Sequence, residues 1–122
     1  MFMKKVNISV LEFGFDYLIH LLEIENSIEA FQNHIEGYVE PIYFGIEGKR
    51  FVLICDEEGK LKDKKMSLII KRSLESSAIV GKCFICKVKN HSFQSLTDDD
   101  LNLLFKHLFQ SDSFGVHVLE LS

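Results

Sequence analysis

Five consecutive residues, Phe51-Val52-Leu53-Ile54-Cys55, are apolar at every position, and Asp56-Glu57-Glu58-Gly59-Lys60 follows at once. A half-buried strand alternates and an amphipathic helix repeats every three to four residues. An unbroken run this short therefore predicts a strand covered on both faces, near the centre of a sheet. The acidic turn ends it, with Gly59 expected to supply the positive φ that tight turns favour.

Around that strand the chain is patterned in both periods. Val6, Ile8 and Val10 alternate with Asn7 and Ser9, which predicts a strand, and a hairpin turned at Gly14 would pair it with a second apolar segment, Tyr17 to Glu23. Asn26-Ser27-Ile28-Glu29 reads as a capping box opening a helix over Ser27 to Glu36. Ile28, Phe31 and Ile35 line one face of that helix, and Gly37 is expected to end it in the left-handed conformation. Tyr38 to Phe44 favours strand, with Pro41 placing it at an edge or in a bulge. Signals conflict from Leu61 to Ser77: Met66, Leu68, Ile69, Ile70 and Leu74 fit a short strand or an irregular flap, and the highest mobility is expected there. Ile79 to Val88 reads as one strand bulged at Gly81. Thr97-Asp98-Asp99-Asp100 is a second capping box, before a helix over Asp98 to Phe109 with Leu101, Leu104, Phe105 and Leu108 as its stripe. A short strand around Val116 and Val118 would finish at the sheet edge.

These elements imply one α+β domain spanning residues 1–122, with a mainly antiparallel sheet of five or six strands and two helices packed on it. A chain of 122 residues supports one self-sufficient core. Apolar residues are 47% of it and include eleven phenylalanines, so no disulfide or metal is needed to hold it together. No apolar stretch is long enough to cross a bilayer, and the N-terminus lacks a signal-peptide pattern, so a soluble, unprocessed protein of the cytoplasm is expected. Three cysteines in strand-like segments, Cys55, Cys83 and Cys86, point to reduced thiols. The net charge of −4 does not favour nonspecific binding to nucleic acid.

Candidate chemistry is sparse. Cys83 and Cys86 have a spacing that grips a metal on a turn, but on a strand they point to opposite faces, so buried structural thiols are the expectation. Asp56, Glu57 and Glu58 could hold a hard cation or work as paired carboxylates, against the simpler reading of a solvated turn. Six basic residues, Lys60, Lys62, Lys64, Lys65, Lys71 and Arg72, stand against the single acid Asp63 in the segment from 60 to 72. A flap so charged suits the phosphates of a nucleotide or nucleic acid, or an acidic protein surface, against the simpler reading of a solvated loop. The helix region around Glu23, Glu25, Glu29, Glu36 and Glu40 is acidic, and so polarised a surface favours a charged partner or self-association. The five histidines are scattered, and neither a Ser-His-Asp order nor a phosphate loop is present.

Glu23 to Asn26, Gln32, Ile35 to Glu40, Ile54 to Leu61, Ile79-Val80-Gly81 and Phe93 to Asp100 together resemble the DUF3846 domain, small proteins of unassigned function in bacteria, phages and mobile elements. The resemblance spans roughly Ile24 to Leu104, leaving the N-terminal strand pair and the C-terminal strand as extensions. It departs from the family pattern at Asp56, where Asn is usual, and at Lys71-Arg72-Ser73, which matches an Asn-Arg pair only at Arg72. What it implies is context: an accessory protein of a phage or other mobile element, in the host-cell cytoplasm if phage-encoded. The leading expectation is a non-catalytic binding protein that engages a host macromolecule, including inhibition of a defence system, with no catalytic residue, no metal and no cofactor assigned. The alternative is a small-ligand or nucleotide-binding module using the basic flap 60–72, and the third an enzyme or metal site at Asp56-Glu58.

Overall fold

A computed structural model describes residues 6–14, 16–59, 64–111 and 115–121. Strands β1 (Asn7–Phe13) and β2 (Ile19–Glu25) form the expected N-terminal hairpin, and helix α1 (Ile28–Ile35) follows. Strands β3 (Val39–Ile46) and β4 (Lys49–Asp56) form a second hairpin, closed by Glu47 and Gly48 at positive φ, the turn whose twist matches that of the strands it joins. Next come β5 (Met66–Arg72), β6 (Glu75–Val80), β7 (Cys83–Lys89), β8 (Ser92–Gln94), helix α2 (Asp98–Lys106), β9 (Leu108–Gln110) and β10 (His117–Leu121). Pairing is antiparallel throughout except between β5 and β10, so the molecule is the α+β domain expected.

The strands divide into two sheets. One has six strands in the order β2-β1-β7-β4-β3, with β8 also on β7, and the other has four in the order β6-β5-β10-β9. Every residue from Phe51 to Asp56 is buried, as a strand covered on both faces requires. On one face, Phe51, Leu53 and Cys55 pack with Leu11, Phe44 and Ile85 against Leu68, Ile70 and Leu119 of the smaller sheet, and Leu103 and Leu104 of α2 close this core. On the other face, Val52 and Ile54 join Val10, Phe84 and Cys86 beneath Phe31 and Ile35 of α1. Burying a phenylalanine or leucine at such positions stabilises the fold by about 1.5–3 kcal/mol each.

Several expectations change. The smaller sheet is additional, and the C-terminal strand lies inside it, between β5 and β9, instead of at an edge. Of the two readings open for this segment, strand holds and irregular flap does not: 64–77 enters and forms most of the β5–β6 hairpin; residues 61–63 lie outside the described residues. Ile79 to Val88 is not one strand. Gly81, at φ +86°, is the corner where the chain leaves the smaller sheet for the larger. Helix α2 has the expected capping box but ends at Lys106, with Phe105 exposed and Leu108 in β9. Helix α1 is capped by Ser27, whose Oγ accepts from the Ala30 amide, and not by Asn26. Asn26 instead continues the β-ladder, its amide donating to the Val6 carbonyl, while its side chain donates to the Phe93 carbonyl.

Pro41 sits on an edge strand as expected. The Glu57 amide donates to the Tyr38 carbonyl, and that phase of the β3–β4 ladder turns the backbone of Val39, Pro41, Tyr43 and Gly45 outward. The missing N–H of Pro41 therefore costs the sheet nothing.

Candidate functional site

The acidic turn is built around a carboxylate used by the fold. Asp56 ends β4 with its side chain fully buried; Oδ1 accepts from the Glu58 amide at 2.9 Å and Oδ2 from Lys64 Nζ at 2.7 Å. Lys64 Nζ also donates to the carbonyls of Ile35 and Glu36 at 3.0 and 3.2 Å, placing its charge at the negative end of α1. One ammonium thus ties helix, turn and the segment entering β5. The turn itself needs only an acceptor at Oδ1; the charge of Asp56 answers Lys64.

Both glycines beside this pair are there for space. Gly37 does not end α1, because Glu36 is the left-handed residue at φ 59°. A Cβ on Gly37 would stand 2.6 Å from the Asp56 carboxylate. A Cβ on Gly59 would stand 2.5 Å from the Val80 carbonyl oxygen, and Gly59 is not among the positive-φ residues, contrary to expectation.

The basic cluster does not assemble. Lys64 is committed to Asp56, and Lys65 is exposed, with its carbonyl accepting from the Gly81 amide. Lys71 and Arg72 lie at the far end of β5, about 20 Å along a seven-residue strand. Lys71 is exposed opposite Ser76, and Arg72 Nη2 donates to the outward Tyr43 carbonyl of β3 at 3.4 Å. Lys60 and Lys62 lie outside the described residues. Glu57 and Glu58 are exposed, and Glu57 rims a crevice of about 270 Å³ between the edges of β3 and β6. The polar groups deeper in that crevice are engaged: Asp56 as above, and the Cys55 thiol with the Glu40 carbonyl at 3.6 Å.

A larger concavity lies on the outer face of the six-stranded sheet. Helix α1 covers only part of that face. Beside it runs an apolar groove of about 380 Å³ lined by Ile28, Phe31, Val39, Pro41, Ile54 and Phe93. Phe93 is shared with a second depression of about 470 Å³ formed by Tyr43, Arg50, Val88, Asn90 and His91. Register explains the opening: Arg50 pairs with Gly45, which has no side chain, and extending the β4–β7 ladder by one residue puts Val88 on its other side, beside Phe93. Asn90 and His91 form the β7–β8 turn with φ of 53° and 62°. Asn and His are both among the side chains enriched in that region. Among the described residues Arg50 makes no ion pair.

A family model described as a domain of unknown function, DUF3846, matches residues 8–110. The chain belongs to the DUF3846 family. The match takes in both strands of the N-terminal hairpin, expected to lie outside it, and ends at the last residue of β9. No curated protein and no solved structure matches the chain.

In this DUF3846 domain the remaining buried acids are also paired. Glu12 on β1 bonds His34 of α1. Asp100, fully buried, bonds Lys49 and Lys87 at 3.3 and 3.2 Å and accepts from the Thr97 amide. Burial pushes the Asp100 carboxyl up, but hydrogen bonds from Thr97, Lys87 and Lys49 outweigh it and hold it below the usual value. Cys83 and Cys86 face opposite cores, so the two cannot chelate one ion. Burial pushes the thiols of Cys55, Cys83 and Cys86 up to about 12, with Glu40 and Asp56 adding to the effect at Cys55. Among the described residues no group of three His, Cys, Asp or Glu side chains has metal-site geometry, and no helix is long and apolar enough to cross a membrane. Tyr43, Arg50, His91 and Phe93 were not legible as a site, since only strand register brings them together.

Proposed function

We propose that this DUF3846 protein is a non-catalytic binding protein, an accessory factor of a phage or other mobile element that engages a host macromolecule through the open part of its larger sheet. The observation that carries this is the concavity beside α1. Exposed Ile28 and Tyr43 flank Phe93, and Arg50 stands among them with no counter-charge among the described residues, the combination of aromatic anchor and guanidinium that dominates binding energy at protein interfaces. Asp56 and the three thiols serve the fold instead, which favours binding over catalysis. The family's occurrence in phages and mobile elements supplies the host context, and a defence component is the partner class to test first.

The test is capture from host lysate on immobilised protein, with bound proteins and nucleic acids identified, beside the variants Tyr43→Ala and Arg50→Glu. A discrete host partner retained by the parent and lost by both folded variants is expected. No partner, or a partner retained equally by the variants, overturns the proposal. Nucleotide binding by a basic flap is less supported, because its lysines and arginine are split between the two ends of β5.

A further inference from the structure

Among the described residues the strands form two open sheets with several edges, and a sheet edge invites another strand unless something blocks it. Edge strand β3 carries Pro41 at an outward position, and Arg72 occupies its outward Tyr43 carbonyl. Edge strand β6 has its final carbonyl, that of Val80, against Gly59, and β8 and β9 are only three residues long. Strand β2 has none of these protections. It runs seven residues in unbroken register with β1 and contains no proline, lysine or arginine.

The phase of its ladder is set by the Asn26 amide donating to the Val6 carbonyl, so residues 20, 22 and 24 bond inward to β1. Ile19, Leu21 and Glu23 therefore turn their amides and carbonyls outward, where the described residues offer no partner. Leu21, at the middle of this edge, is 59% exposed, as is Leu18 at its start.

We propose that β2 pairs antiparallel with β2 of a second copy about a two-fold axis at Leu21, continuing the six-stranded sheet into one of twelve. That register sets Leu21 against Leu21 of the second copy and Ile19 against Glu23, giving three hydrogen-bonded pairs with two backbone bonds each. On the other sheet face it sets His20 against Leu22 and Leu18 against Ile24. The two Glu23 carboxylates stay four residues apart, about 13 Å, whereas an axis at Glu23 would oppose them directly. A second copy fits this edge because the strand is complementary to itself in that register. The groove beside α1 is lined mainly from α1, β3, β4 and Phe93, reaching the end of β2 only through Asn26 and Ser27, and Leu21 is not part of it.

Sedimentation of the full chain over a concentration series tests this, with Leu21→Pro and Leu21→Lys alongside. Proline at 21 removes an outward N–H and no bond to β1, so its fold, followed by circular dichroism, is expected to persist while the dimer is lost. Lysine opposes two like charges at the axis and weakens dimerisation at least tenfold; it serves if the proline variant does not fold. Leu21→Cys gives an independent readout, since residues across a hydrogen-bonded pair are close enough for a disulfide. Mild oxidation of that variant should yield a covalent dimer through the introduced thiol alone, the native thiols being buried. A parent that stays monomeric up to its solubility limit, or a dimer indifferent to both substitutions at 21 and not trapped by the introduced thiol, overturns the proposal.

Discussion

At Asp56 and Lys64 the geometry decides between site and scaffold. The Asp56 side chain is fully buried and the Lys64 side chain is 16% exposed, so removing either partner breaks an ion pair that water screens poorly. Lys64→Met should lower stability by about 3 kcal/mol, read from urea denaturation. Asp56→Asn keeps the Glu58 bond and should cost less. Neighbouring Gly59→Ala drives a methyl into the Val80 carbonyl and should cost about 1–3 kcal/mol, whereas Gly45→Ala, whose nearest contact is 3.5 Å away, should cost far less. In the sequence, Gly37 and Gly59 look like backbone punctuation because they follow a helix and close a turn. Their actual constraint is a neighbour 20 or so residues distant, which no local pattern reveals. The same holds for Lys64, which looks like one of six similar cations until its three acceptors are seen.

At the scale of elements, periodicity and caps were mostly legible, and the failures came from neighbours. Thr97 to Asp100 is a capping box in sequence and in space. Asn26 and Ser27 both suit a cap, and the choice fell to Ser27 because the β1–β2 ladder extends through Asn26. Ser27→Ala should therefore cost about 1 kcal/mol by loss of the cap, measured by thermal unfolding. The apolar run from Ile79 to Val88 hid a change of sheet, since alternation continues through Gly81 while the strand partners change. Acid sensitivity belongs to α2. The folded carboxyl of Asp100 titrates below its ordinary value of 3.8, so its contribution is complete above that value and disappears as pH falls through the folded one. Asp100→Asn should start less stable and show a flatter acid limb in stability measured against pH.

At the scale of the whole molecule, the class and the central strand were evident because Phe51 to Cys55 is apolar on both faces. The second sheet was not, because a parallel pair joins β5 to β10 across more than forty residues. Three thiols raised to about 12 carry a thiolate fraction of about 10⁻⁴ at pH 8. Thiol reagents should therefore label the protein only as it unfolds, which a labelling time course in urea would check. The larger claim is a division of labour: buried charge pairs hold the layers together, and the uncovered face around Arg50 makes the outward contact. One paired measurement tests it most directly, thermal midpoint and partner capture for Lys64→Met and Arg50→Glu. A lowered midpoint with capture retained below it is expected for Lys64→Met, and an unchanged midpoint with capture abolished for Arg50→Glu. Capture lost from folded Lys64→Met and kept in Arg50→Glu would contradict it.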